Sequence, residues 1–393
     1  MIEKTYGEVS RELFEIYEAY KVPEITSRRF THNQMLLWLA PLEQSKIFDQ
    51  KVVGSSAEGR AISLLSLGRG TTKVFLWSQM HGDESTATMA LIDMLTFFSR
   101  ARGHRVVTTI QDNLRLLLLP MLNPDGAERF QRRTAQLIDM NRDALRLCTP
   151  EACILKNVRD QYQPEFCFNL HDQDTRGTVG STTDTAAIAL LAPAYDVPKS
   201  DNDVRVRAKR VAGLFGEVLH QFIPGHVARY DDTFEPRAFG DNIQKWGTST
   251  VLVESGGWTG DRQKMFLRKL NFVGLLSSLY AIASGEYASA DCSLYEQLPF
   301  SSKNKFDLIL RNVTLKPSTA TPSVVVDIAI NIAEQTNPAD GTIFDVGTVM
   351  DIGDLSVFAG FDELDLTGKT LSHELIQLDK VLSMDILQKI KEK

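Results

Sequence analysis

Cysteine is scarce in this sequence. Four occur in 393 residues, at positions 148, 153, 167 and 292, and no C-x-x-C is among them. That spacing excludes zinc-ribbon and thioredoxin-like readings and leaves reduced thiols, expected as small core residues of a cytoplasmic protein. Basic charge is short as well. Lys and Arg number 43 against 50 Asp and Glu, for a net charge of −7 with no basic block, so nucleic acid is not an expected partner. No apolar run reaches the ~18–20 residues of a membrane span before a charge breaks it, and no membrane partner is expected. The first thirty residues are acid-rich and lack an apolar core ahead of a small-residue cleavage site, which points away from a secretory signal. No G-x-S-x-G elbow surrounds Ser255-Gly256-Gly257, so serine-hydrolase chemistry finds no support.

What is present is an ordinary globular composition, 43% hydrophobic and 24% charged, in a chain long enough for two or three domains. Val9, Leu13, Phe14, Ile16, Tyr17 and Tyr20 recur at helical spacing up to Pro23. Thr31 and Gln34 have capping-box spacing for a short helix that Pro41 should end. Lys51–Gly54 and Ile62–Leu67 flank a turn at Ala57-Glu58-Gly59 and read as a hairpin. From residue 73, short continuous apolar runs (Val74–Trp77, Leu114–Leu119, Phe166–Leu170, Ala187–Leu191, Thr250–Val253) alternate with helical stretches (Ser85–Arg100, Val204–Phe222, Asp261–Ser284). Runs without alternation predict strands buried on both faces, hence an α/β sheet between helix layers. After about residue 290, turn-separated strands replace the helices. The expected organisation is an N-terminal helical segment at 1–50 packed on a catalytic domain at 51–290, then a small β-rich domain at 300–393. The last of these should end in an exposed basic helical tail from Met384.

Three acid or imidazole groups directly follow three of the buried strands. His81 and Glu84 follow the run ending at Gln79, His171 follows Phe166–Leu170, and Glu254 follows Thr250–Val253. In open α/β sheets the ligand crevice lies beyond the carboxyl ends of the strands. His81-Gly82-Asp83-Glu84 is H-x-x-E, and with His171 it makes a His₂Glu set, a catalytic zinc arrangement that keeps one position for water. Asn123-Pro124-Asp125-Gly126 reads as a turn. It is followed by Arg129, Arg132 and Arg133 and by Asp139-Met140-Asn141-Arg142, and arginines gathered there suit a carboxylate or oxyanion. His32, His104, His220, His226 and His373 have no partner at ligand spacing and read as surface or helix-face residues.

With those residues in view, the sequence resembles the M14 (funnelin-type) zinc carboxypeptidases over roughly residues 50–285. Four stretches match in order: Val53–Ile62 as a lead-in hairpin, His81-Gly82-Asp83-Glu84, Asn123–Gly126 with Asp139–Arg142, and Val251-Leu252-Val253-Glu254. The resemblance implies a mixed, mostly parallel eight-stranded twisted sheet between helix layers and one zinc ion per chain. His81, Glu84 and His171 would be the ligands. Glu254 would act as general base and acid, and Arg132 would polarise the scissile carbonyl, with Arg133 its neighbouring rival. Asn141 and Arg142 would grip the free terminal carboxylate of a peptide, and Tyr230 is the candidate for the family's tyrosine. Asp172 would orient or charge-balance the site, or cap the next turn. Arg237 would favour an acidic terminal residue or pair with Asp241. The implied activity is proteolysis by a metallocarboxypeptidase. The alternatives are a zinc acylase of the same fold acting on N-acyl amino acids or small amides, and an inactive peptide-binding scaffold.

Overall fold

Alternating side-chain direction along continuous apolar strands produces two cores, one on each face of a sheet. The computed structural model describes residues 5–316, 321–337, 342–372 and 376–391. Its chain divides into two units, one of residues up to Thr175 with Ala186–Ser301, the other of Arg176–Thr185 with residues from Ser302 onward. In the first unit β1 (Asp49–Ser55) and β2 (Ala61–Leu67) form the expected antiparallel hairpin. They are followed by β3 (Thr72–Ser78), β4 (Leu114–Leu119) and β5 (Phe166–Asp172). After the two-residue β6 (Thr178–Val179), which falls in the second unit, come β7 (Ile188–Leu191), β8 (Val227–Arg229) and β9 (Ser249–Ser255). The eight strands of the first unit run in the order β1-β2-β4-β3-β5-β9-β7-β8. The neighbours β4/β3, β3/β5, β5/β9 and β7/β8 are parallel, so the sheet is mixed with a parallel centre.

On one face Val74, Leu76, Phe168, Leu170, Val251 and Val253 meet α1 (Tyr6–Tyr20), α3 (Thr86–Arg100) and α9 (Met265–Ser284). On the other, Phe75, Trp77 and Cys167 meet Ile154, Leu155, Phe239 and Ile243. Those four come from α6 (Pro150–Tyr162) and α8 (Phe239–Lys245). Each fully buried side chain of this kind contributes roughly 1.5–3 kcal/mol. The N-terminal helices share the first core. Arg268 of α9 donates to Asp93 at 2.7 Å and to the carbonyl oxygens of Val22 and Ile25, and Tyr17 donates to the same Asp93 at 2.9 Å. A guanidinium and a carboxylate this deep hold only because every donor is used.

Three local expectations change. α2 (His32–Glu43) opens on the Thr31–Gln34 capping box but runs through Pro41 to Glu43. Pro41 lies in the last turn, where the chain needs only a few more helical residues. α9 begins at Met265, not at Asp261. The Asp261 carboxylate nevertheless caps it from upstream, accepting from the backbone N–H groups of Met265, Phe266 and Leu267. α9 is also long and apolar enough to cross a membrane, because after Lys269 it carries no charge, but its apolar residues are core.

In the second unit Lys305–Lys316 pairs antiparallel with Val324–Thr336, which pairs antiparallel with Ile343–Gly353, while Ala359–Asp365 runs parallel to the first. The helix Met384–Lys391 is not an exposed tail. Leu387 and Ile390 are buried with Leu310, Ile330 and Val349. Residues Arg176–Thr185, chain-continuous with the eight-stranded sheet, belong to this unit, and nothing in their composition marks them.

Candidate metal and catalytic site

The loop after β3 and the turn after β4 cross backbone on backbone. A Cβ at Gly82 would lie 2.0 Å from the carbonyl carbon of Gly126, so no side chain fits at that crossing. Asn123 fastens it. Its Oδ1 accepts from the Gly126 N–H at 2.9 Å, capping α5 (Pro124–Arg129), while its Nδ2 donates to the Met80 carbonyl at 3.2 Å. The hairpin turn clamps the same segment: Asp125 accepts from the Ser56 hydroxyl (2.6 Å), the Glu58 N–H (2.9 Å) and Arg60 (2.6 Å). Three of the stretches that carry the sequence resemblance therefore form one interlocked scaffold that aims His81 and Glu84.

Glu84 sits between two imidazoles. Its Oε1 lies 2.7 Å from His81 Nδ1 and its Oε2 lies 2.6 Å from His171 Nδ1. All three side chains are buried, their ligand atoms fall within 4.8 Å of one another, and His171 Nε2 has no hydrogen-bond partner among the described residues. Burial alone would raise the Glu84 carboxyl, but the adjacent imidazoles outweigh it and hold the group well below the usual carboxylate range. Two imidazoles and a carboxylate converging in this way fit one zinc ion with a fourth position left open.

Asp139 orients the set. Its Oδ1 lies 3.1 Å from His81 Nε2 and would keep a proton on that nitrogen when Nδ1, the nitrogen facing Glu84, holds a metal. Arg132 spans the same group, donating to Asp139 at 3.1 and 3.0 Å and to Glu84 at 3.1 Å. Its rival Arg133 turns away and donates to the Leu137 carbonyl. Arg129 pairs with Glu58.

Glu254 stands directly across from His171 in the parallel β5/β9 register and is buried. Burial first, then the negative charges of Glu84 and Asp172, push its carboxyl well above the usual range. The Tyr230 N–H donates to the Leu190 carbonyl of β7, the strand beside β9. The charge of Glu254, followed by burial, pushes its hydroxyl up to about 12. Asp172 pairs with Lys264 at 3.1 Å and accepts from the Thr86 hydroxyl at 2.7 Å, so it balances a buried lysine and caps no turn. Lys264 also donates to the Ser255 carbonyl at 3.0 Å. No sequence spacing signalled it.

Asn141 and Arg142 lie in a 3-10 turn, Met140–Arg142, held by Asp139, whose Oδ1 also accepts from the Asn141 N–H. Asn141 Oδ1 accepts from the Phe239 N–H at the start of α8. Arg142 is exposed, 3.3 Å from Glu235. Arg237 makes a bidentate pair with Glu235 at 2.9 and 2.8 Å and does not pair with Asp241. Asp241 instead accepts from the Glu235 N–H at 3.0 Å.

Burial raises the Asp241 carboxyl from 3.8 to about 7. A group raised on folding stabilises the protein fully below its unfolded pKa, and that contribution is lost as pH rises through the folded value. Asp241→Asn keeps an acceptor for Glu235 and removes the charge. The variant should melt close to wild type at pH 4 and gain on the order of 2–4 kcal/mol at pH 8, read by thermal melts across that range.

The remaining histidines are placed individually. His32 is a helix-face residue at the start of α2, buried and not on the surface. His104 caps α4 (Arg105–Asn113) through Nδ1, and His226 stacks edge-on with Trp258. His220 is exposed at the end of α7 (Asp203–His220), and His373 lies outside the described residues. The cysteines are all free, but only Cys167 is core. Cys148 is exposed, and Cys153 and Cys292 are half-buried.

Residues 35–169 match the family model for zinc carboxypeptidases, peptidase M14. That span holds His81, Glu84, Arg132, Asn141 and Arg142 and stops two residues before His171. Over 161 residues the chain is 26% identical to the probable carboxypeptidase 2 of Arthroderma benhamiae, covering 40% of this chain and 30% of that protein. It is 25% identical over 188 residues to carboxypeptidase 2 of Trichophyton rubrum, covering 45% and 34%. The chain thus spans about a third of the length of the curated relatives it matches. Its fold is shared with a metallo-carboxypeptidase from Burkholderia cenocepacia (TM-score 0.52, 18% identity, 65% of this chain and 70% of that one). It is shared too with bovine thrombin-activatable fibrinolysis inhibitor in complex with tick carboxypeptidase inhibitor (TM-score 0.54, 11% identity, 66% and 98%).

Proposed function

From its place among the M14 zinc carboxypeptidases, whose sequence pattern and fold it shares, we propose that this chain removes C-terminal residues from peptides, with one zinc ion held by His81, Glu84 and His171. The observation that carries the reading is the convergence of those three buried side chains one strand away from Glu254, in register with His171.

When bound, zinc supplies a Lewis acid and a water acidic enough to ionise near neutral pH. The protein's own residues do the rest. Glu254, buried and with raised proton affinity, takes the proton of the attacking water and returns it to the leaving nitrogen. Arg132, fixed by Asp139 and Glu84, presents a guanidinium to the oxygen that gains charge. Asn141 and Arg142 hold the terminal carboxylate, which confines cleavage to the last bond and supplies orientation. Tyr230 closes the crevice near Glu254.

Free-acid and C-terminally amidated copies of one peptide test this reading. The free acid should be shortened one residue at a time and the amide left intact. Arg142→Ala should raise KM for the free acid by roughly 10²-fold with a smaller change in kcat, the loss of one charge-assisted pair. Equal turnover of acid and amide would remove the carboxypeptidase reading in favour of an acylase or endopeptidase.

A further inference from the structure

One row beneath His171 and Glu254, on the same face of the sheet, the neighbouring strands place Asn169 beside Leu252 and Leu252 beside Leu191. Leu252 and Leu191 each retain 6% exposure on central strands whose other apolar residues, such as Val251 and Val253, retain 1% or less. These two leucines are thus the residues of the row that are not fully covered. Asn169 is wholly buried, and neither its Oδ1 nor its Nδ2 has a hydrogen-bond partner among the described residues.

The wall above the row is α8. A Cβ at Gly240 would lie 3.3 Å from Asn169 Nδ2, and the preceding Phe239 N–H is bound by Asn141. The path from the carboxylate grip to Asn169 is thus one residue of α8 long. No side chain of the row is charged. The guanidiniums at the mouth, Arg142 and Arg237, already share Glu235.

Resting on the proposed carboxypeptidase reading, we infer that this row is the floor of the pocket for the terminal side chain, and that it selects a residue with an aliphatic stem and a carboxamide end, glutamine above all. The stem would lie on Leu252 and Leu191. The amide would meet the unused donor and acceptor of Asn169, one hydrogen bond in each direction. A site built around a buried polar group discriminates sharply against an analogue that leaves that group unpaired.

The test compares peptides that differ only in a C-terminal Gln, Met, Glu or Lys, by kcat/KM in the zinc-loaded enzyme and by calorimetric binding to its Glu254→Gln form. Wild type should prefer Gln over Met, its unbranched match in length, by about 10²-fold, and should handle Glu and Lys less well than Gln. Asn169→Leu should bring the Gln/Met ratio to one or below. Asn169→Ala, which adds no bulk, should lower it at least tenfold even if the leucine variant folds poorly. A Gln/Met ratio near one in wild type, or a ratio that either folded variant leaves unchanged, overturns the inference. So does a preference for Lys, which would assign the floor to Asp241, or for Glu, which would assign it to the guanidiniums. Absence of turnover on every free-acid peptide would contradict the carboxypeptidase reading instead, while the binding ratio would still decide the pocket.

Discussion

Glu254→Gln should leave about one zinc per chain and an intact fold while lowering kcat by at least ~10³-fold on an unblocked peptide. The glutamine keeps the length and hydrogen-bonding shape of the side chain but cannot take a proton near neutral pH. Metal content should survive because Glu254 lies on β9, across the strand register from His171, and is not one of the three converging groups. Affinity for a free-acid peptide should also survive, because Asn141 and Arg142 are untouched. The expected kinetic signature is a fall in kcat with KM nearly constant. A Glu254→Gln enzyme that sheds its zinc, or that works near the wild-type rate, would show that this glutamate has been given the wrong role.

His171→Ala should behave differently, losing zinc and activity together. The imidazole supplies one of three converging donors and one of the two ring nitrogens that hold the buried Glu84 carboxyl low. Without it, Glu84 retains His81, Arg132 and the Asp172 N–H as partners, and the metal-donor set falls to two. Two protein ligands are too few for a catalytic zinc site, and activity should fall to background. Zinc stoichiometry by elemental analysis after dialysis should drop from about one to near zero. Adding zinc should no longer raise the melting temperature, as it should for wild type. Asp139→Asn is the informative companion, because the imidazole remains but its tautomer is no longer enforced. A loss of roughly 10- to 100-fold in metal affinity, short of abolition, is expected there.

The parts of this site that can be read in a linear sequence are those where local pattern and chemistry coincide. Phe166–Leu170 and Thr250–Val253 are apolar apart from Asn169 and Thr250, so they announce strands buried on both faces, and the charged or imidazole residue that follows each is conspicuous. The Thr31 capping box and the β1/β2 hairpin are legible for the same reason, since each is a contact within a few residues. Contacts made across the fold leave no such trace. Asp139 belongs to a visible motif, yet its bond to His81 spans 58 residues and appears only once the β3 loop and the turn after β4 have crossed. Lys264 looks like an ordinary loop lysine until Asp172 is found beside it. Asn169 reads as one polar residue in a strand, and only register and burial show that its amide is unmatched. Pro41 misleads in the opposite direction. A strong local stop signal matters little in the final turn of a helix whose face is already anchored by Leu39 and Leu42.

The account's central claim is that metal held by His81, Glu84 and His171 works with Glu254 on the last bond of a free-acid peptide. Its most direct test strips the wild-type protein with a chelator, titrates zinc back, and follows a free-acid peptide and its amide by mass spectrometry. The account predicts no shortening of either peptide before zinc. Single-residue loss from the free acid should saturate at about one zinc per chain, with the amide intact throughout. Shortening by the stripped protein, internal cuts, or equal attack on the amide would contradict it.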